Sequence, residues 1–211
     1  MAVARRIDSN PVQRRSDSLM SGPTAPAGAP WARALLGAFG WRVHVLPPPV
    51  PKAVVLFYPH TSNWDFPIGI LGRAGCGMPL HWVGKHTLFR WPVRGLMHRW
   101  GGIPVDRATT AGMVETLREQ FATHESFYVA FSPEGTRKRT ESWRTGFYRL
   151  ALAANVPVGL GYFDYSRRVV GIDTWLTLSG DRDSDLAQIE AGYRGKIGRR
   201  PANAGPIRFA D

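Results

Sequence analysis

Apolar residues along this chain fall into short β-branched or aromatic runs that alternate with longer stretches of helical spacing, a rhythm that predicts a sheet flanked by helices. Strands are predicted over 52–58, 80–84, 103–105, 126–131 and 158–163, with two further candidates at 168–172 and 175–178. Helices are predicted over 63–73, 92–100, 111–124, 145–154 and 185–197. In the last of these Leu186, Ile189, Tyr193 and Ile197 share one side. The fold class that follows is α/β, a single domain with a mixed, mostly parallel central sheet between helices, preceded by a short amphipathic N-terminal segment.

Outside that alternation the pattern changes. Residues 1–30 are rich in Pro, Ser, Gly and Arg without periodicity, the signature of a disordered basic tail. Over 31–51, Trp31, Leu35, Leu36 and Phe39 recur at helical spacing between arginines, and the prolines from Pro47 to Pro51 form a stiff connector. That amphipathic stretch suits a membrane surface and a helix packed on the core equally well. The main domain is placed at 52–200 and a C-terminal tail at 201–211. No segment reaches the roughly 20 apolar residues of a membrane span, since Arg33, Arg42 and His44 interrupt the nearest candidate. The first 30 residues lack the apolar core of a secretory signal, so the cytoplasmic side of a membrane is the expected location.

Composition narrows the partners. A chain of 211 residues, 44% hydrophobic, is long enough for one domain with a sizeable core. Lys and Arg number 27 against 16 Asp and Glu, a formal net charge of +11, which favours phosphates, acidic lipid surfaces or nucleic acid. The single cysteine, Cys76, excludes an intrachain disulfide.

The candidate chemistry sits at His60 and Asp65. His60 follows the apolar run Val54 to Tyr58, where a buried strand ends, and Ser62 and Asn63 are good helix caps ahead of Asp65 in a first turn. A loop-to-helix junction lets the carboxylate reach one ring nitrogen and leave the other as a base. Alone, such a pair is usually incidental. Here three further blocks follow in order: Gly102-Ile103-Pro104-Val105-Asp106-Arg107, Ser132-Pro133-Glu134-Gly135-Thr136-Arg137 and Val156-Pro157-Val158.

Those four blocks, running from about residue 52 to 164, resemble the bacterial lysophosphatidate and glycerol-3-phosphate acyltransferase superfamily. The His and Asp separated by four residues match at His60 and Asp65, the Gly-x-Ile-x-x-Asp-Arg pattern at Asp106 and Arg107, and Pro-Glu-Gly-Thr-Arg without a gap at Pro133 to Arg137. The resemblance implies direct O-acyl transfer from an acyl-CoA or acyl-carrier protein to a lysophospholipid hydroxyl, without a covalent acyl-enzyme or cofactor. It implies His60 as general base oriented by Asp65, and substrate binding at Asp106, Arg107, Glu134, Gly135, Thr136 and Arg137. Arg107 and Arg137 suit an acceptor phosphate, and Glu134 suits an acceptor hydroxyl or the support of an arginine.

Blander roles compete. Asp106 with Arg107, and Glu134 with Arg137, also suit simple loop ion pairs. Ser132 lacks the glycine-flanked elbow of a hydrolase nucleophile. The stretch from Lys85 to Trp100 interleaves aromatics with cations, which suits nucleic acid in isolation and an anionic membrane interface beside these blocks. The alternatives are therefore a basic nucleic-acid-binding module using residues 85–107, or a non-catalytic lipid binder. The remaining histidines show no metal-ligand spacing, and no metal is expected.

Overall fold

The structure, a computed structural model, describes residues 28–105 and 110–210. The tail expected over 1–30 thus falls almost wholly outside the described residues, as do Asp106 and Arg107. The strands are β1 (Arg42–Val45), β2 (Lys52–Phe57), β3 (Leu80–Lys85), β4 (Gly102–Val105), β5 (Phe127–Phe131), β6 (Val158–Asp164) and β7 (Val169–Leu176). The α-helices are α1 (Pro30–Ala38), α2 (Asp65–Cys76), α3 (Arg94–Arg99), α4 (Thr110–Thr123), α5 (Gly146–Ala154) and α6 (Arg182–Tyr193).

One sheet orders the strands β1-β7-β6-β2-β5-β3-β4, and only the β6 and β7 pair is antiparallel. Strand β2 occupies the middle, where both faces are covered, which is why it reads as an unbroken apolar run rather than an alternating one. Its Val54 and Leu56 enter a core with Leu117 of α4, Phe147 and Leu150 of α5 and Ile189 of α6. Ala53 and Val55 point the other way, into a core with Cys76 of α2, Met78 and Ile172. A smaller cluster ties Leu36 of α1 to Phe163, Val170 and the Ile68 and Leu71 face of α2. The mixed, mostly parallel α/β sheet expected from the sequence is the observed fold. No helix among the described residues is long and apolar enough to cross a membrane.

Three of the differences from the expected boundaries bear on the fold. The segment over 31–51 is not a separate amphipathic unit and connector: α1 ends at Ala38, and Arg42-Val43-His44-Val45 changes to period two and pairs parallel with β7. The candidates at 168–172 and 175–178 form one strand, β7, with a bulge between Gly159 and Gly161 absorbing the irregularity on β6. Helix α6 starts three residues earlier than predicted because the Asp181 carboxylate caps the amides of Asp183 and Ser184, and it ends where Arg194 turns extended.

The C-terminal segment also departs from the expected tail at 201–211. Phe209 is buried against Phe147 and Tyr148, and Trp143 pairs with the chain there through Trp143 N to Arg208 O at 2.6 Å and Ala210 N to Trp143 O at 2.9 Å. Residues 201–210 are an integral part of the fold, and they pass behind the loop that carries Glu134.

Candidate active site

Strands β2, β5 and β6 lie side by side and parallel, so their carboxyl ends open on one edge of the sheet, where α/β folds place their sites. Strand β2 delivers His60, β5 delivers Ser132 and Glu134, and β6 delivers Tyr165. The topology therefore gathers residues that are far apart in the chain.

Between His60 and Asp65 the chain curls back on itself, with Ser62 N donating to Asp65 Oδ2 at 2.9 Å and Asp65 N donating to Ser62 O at 3.3 Å. Helix α2 starts at Asp65 itself. Its cap position is Trp64 rather than Ser62 or Asn63, and Ser62 Oγ accepts from Trp64 N at 3.2 Å. This turn brings His60 Nδ1 to 3.1 Å from Asp65 Oδ2, an ion-pair distance without the alignment of a hydrogen bond. Asp65 is fully buried, whereas the His60 side chain keeps 22% of its surface open, enough for a substrate to reach the ring. The second carboxylate oxygen, Oδ1, accepts from the Tyr165 hydroxyl at 2.6 Å. Burial, followed by the bond to Asp65, holds that phenol above its ordinary range, so it stays a donor.

Glu134 sits behind this pair. Its Oε2 accepts from the His60 amide at 2.9 Å and its Oε1 from the Gly205 amide at 3.2 Å. Buried in this way, with both carboxylate oxygens engaged by backbone amides, it ties the His60 loop to the C-terminal segment. Burial raises its carboxyl above the usual carboxylate range, against the pull of the two amides. Gly205 is fitted to the same task, since a Cβ there would lie 2.1 Å from Thr140 O. Of the other residues in the block, Thr136 Oγ1 accepts from Lys138 N at 3.2 Å, and Arg137 is exposed with its carbonyl held by Asn203 Nδ2 at 3.1 Å.

An apolar cavity lies between α2 and the sheet, walled by Phe66 and Ile70 of α2, Trp82 of β3, Phe131 of β5 and Phe163 of β6. Its polar lining is His60, Asp65, Ser132 and Arg73. A second cavity adjoins it through Val83, Phe131 and Ser132, and there Gly135 and Arg144 contribute to the wall. An imidazole braced by a buried carboxylate, beside an apolar chamber, suits proton abstraction from an amphiphile.

A family model described as Acyltransferase matches residues 44–159, more than half of the 211-residue chain and all four of the blocks. The chain belongs to the acyltransferase family. His60, Asp65 and Glu134 fall inside the matched segment. Among solved structures, the 1-acyl-sn-glycerophosphate (LPA) acyltransferase PlsC from Thermotoga maritima shares the fold, with a TM-score of 0.51 and 18% identity over 78% of this chain and 74% of that one. No curated protein sequence matches the chain. Tyr165, Gly205 and Arg144 are outside the family's signature blocks. The one local signal for Tyr165 is a polar aromatic directly after a buried strand, β6.

Proposed function

We propose that this acyltransferase moves a fatty acyl group from an acyl thioester, carried by CoA or an acyl-carrier protein, to a free hydroxyl of a lysophospholipid such as lysophosphatidate. The observation that carries this is His60, partly open, braced by buried Asp65 and set in the wall of an apolar cavity. The fold shared with a protein described as an LPA acyltransferase points the same way.

With Nδ1 turned to Asp65, His60 has Nε2 for the acceptor. Nε2 takes the hydroxyl proton as that oxygen attacks the thioester carbonyl carbon, and the buried Asp65 carboxylate stabilises the imidazolium that forms. The tetrahedral intermediate then collapses with cleavage of the C–S bond, and the imidazolium returns its proton to the departing thiolate. The products are an ester and a free thiol, and no acyl group rests on the protein. Arg107 and Arg137 supply positive charge that draws an anionic acceptor to the enzyme.

Access to lipid comes through peripheral attachment. Trp31 of α1, Phe39 at its C-cap and Trp64 expose 62%, 68% and 59% of their surface, with Arg168 at Phe39 and Arg199 over the Trp64 ring. A second exposed group, Trp91, Val93 and Leu96, is interleaved with Arg90, Arg94 and Arg99. Aromatics beside arginines suit an anionic membrane surface.

The test is an acceptor screen with one labelled acyl-CoA and a panel of lysolipids, read by product mass. Thiol release is expected only when a lysolipid is present, and His60→Ala is expected to abolish it while circular dichroism stays unchanged. Full activity in the folded His60→Ala protein would overturn the mechanism.

A further inference from the structure

The cavity that adjoins the His60 chamber holds two polar groups that the mechanism above does not use. Ser132 lies in the wall of both cavities, and its Oγ is buried without a hydrogen-bond partner. Buried hydroxyls are nearly always paired, so an orphan at the junction of two chambers is a group awaiting a ligand. Arg144 lines the second cavity, and among the described residues no carboxylate forms an ion pair with its guanidinium.

Arg144 is held in place by its surroundings. Its amide donates to Pro133 O at 2.9 Å, which ties it to the turn that carries Ser132. Its side chain lies over Gly135, where a Cβ would come within 3.0 Å of Nε, and Gly135 has φ +66. Glycine is needed there both for the backbone and for the space the arginine fills. The remaining walls, Val105, Met113 and Phe147, are apolar. A cation, an unpaired hydroxyl and apolar walls beside the general base make an amphiphile's headgroup site. Arg144 and Arg137 are both exposed, but only Arg144 contributes to the wall of a cavity.

We propose that Arg144 and Ser132 form the headgroup site of the acceptor, Arg144 binding a phosphomonoester and Ser132 a neighbouring glycerol oxygen, so that the free hydroxyl faces His60. The planar guanidinium fork matches two phosphate oxygens, which a lysine ammonium would not. This assignment rests on the lysophospholipid acceptor proposed above.

The experiment compares lysophosphatidate with monoacylglycerol, which keeps the free hydroxyl and carries a second hydroxyl where lysophosphatidate carries the phosphate. In Arg144→Ala the ratio of kcat/KM for lysophosphatidate to that for monoacylglycerol is expected to fall at least tenfold, chiefly through the KM for lysophosphatidate. Arg144→Lys is expected to recover part of that ratio, and Arg149→Ala, on the exposed side of α5, to keep it. Ser132→Ala is expected to raise the KM for both acceptors. An unchanged ratio in Arg144→Ala would overturn the proposal, and so would a rise confined to the KM for acyl-CoA, which would assign the arginine to the donor. Wild-type enzyme inert towards both acceptors while active on another lysolipid would overturn the acceptor reading itself, and this site with it.

Discussion

The Tyr165 hydroxyl donates to Asp65 Oδ1 at 2.6 Å, joining the end of β6 to the start of α2 across 100 residues of chain. Asp65 is thus gripped on both oxygens, by Tyr165 on one and by the Ser62 amide on the other, with His60 beside the second. A fully buried carboxylate needs such partners to stay fixed. Tyr165→Phe removes the hydroxyl alone and keeps the ring that packs edge-on against Trp41 at 4.8 Å. A lost hydrogen bond to a charged group is worth about 1.5–3 kcal/mol, so kcat is expected to drop about tenfold to a hundredfold with the KM values nearly unchanged. Steady-state kinetics check this, and an unaltered kcat would show that Asp65 holds its place without Tyr165.

Glu134 acts one layer further back, through the His60 and Gly205 amides. Glu134→Gln keeps one oxygen but turns an NH2 group towards an amide donor, so one of the two bonds becomes a donor-to-donor conflict. The variant is expected to lower kcat and stability together while leaving acceptor KM close to wild type. A selective rise in acceptor KM would instead place the carboxylate against substrate. The pH dependence has a definite sign. Because the native carboxyl titrates above its ordinary value of 4.5, the folded state binds more protons than the unfolded state from about that pH up to the native pKa. Its contribution to stability therefore falls as pH rises through this window, and Glu134→Gln removes that slope from urea titrations at stepped pH.

Asp185 provides the opposite case, well away from the dyad. Its carboxylate accepts from the Ser179 amide and hydroxyl, the Gly180 amide and the Tyr148 hydroxyl. Burial works to raise its pKa, but those donors together outweigh it and hold the group below its usual value of 3.8. Tyr148, buried and facing this carboxylate, is pushed up to about 12. The stability Asp185 contributes is present above its unfolded pKa and is lost as pH falls through the lower native one. Asp185→Asn is expected to cost about 2–3 kcal/mol at neutral pH, since it weakens bonds to a charged acceptor, and to flatten the acid limb of the stability curve. His60-dependent turnover should survive, and equilibrium denaturation beside an activity assay separates the two effects.

How much of this was legible beforehand depended on the range of each interaction. Strands β2, β5 and β6 stood out because a strand covered on both faces must be apolar throughout. His60 and Asp65 were legible because their contact is local and closed by one turn of chain. The partners that brace them were not: Tyr165 reaches Asp65 only because β6 pairs with β2, and Gly205 reaches Glu134 only because the C-terminal segment folds back behind the loop. No spacing rule encodes either contact. Strand β1 escaped notice because four residues, Arg42 to Val45, are too few to show a period beside the stronger helical pattern of α1. Arg144 was hidden for another reason. Its placement comes from the space over Gly135 that its side chain fills, a property of packing that appears only when both segments are folded together.

The exposed aromatics of α1 and its C-cap make a final prediction that separates membrane attachment from folding. Trp31 and Phe39 contribute little to the core, since most of their surface faces solvent, while Leu36 and Ala32 on the opposite side are buried. Replacing Trp31 and Phe39 together by Ser should therefore leave the melting temperature within about 2 °C, because surface substitutions away from packed features are usually worth no more than about 0.5 kcal/mol. Interfacial binding is a different matter, because it scales with the apolar area the helix inserts, with the attraction of cations for anionic lipid added to it. The double variant is expected to bind vesicles containing phosphatidylglycerol about tenfold more weakly, equivalent to ~1.4 kcal/mol, and wild-type binding is expected to weaken as salt screens the arginines. Flotation with phosphatidylglycerol vesicles measures both. Undiminished flotation of the double variant, combined with loss in Trp91→Ser, would move the contact from α1 to the segment ahead of α3.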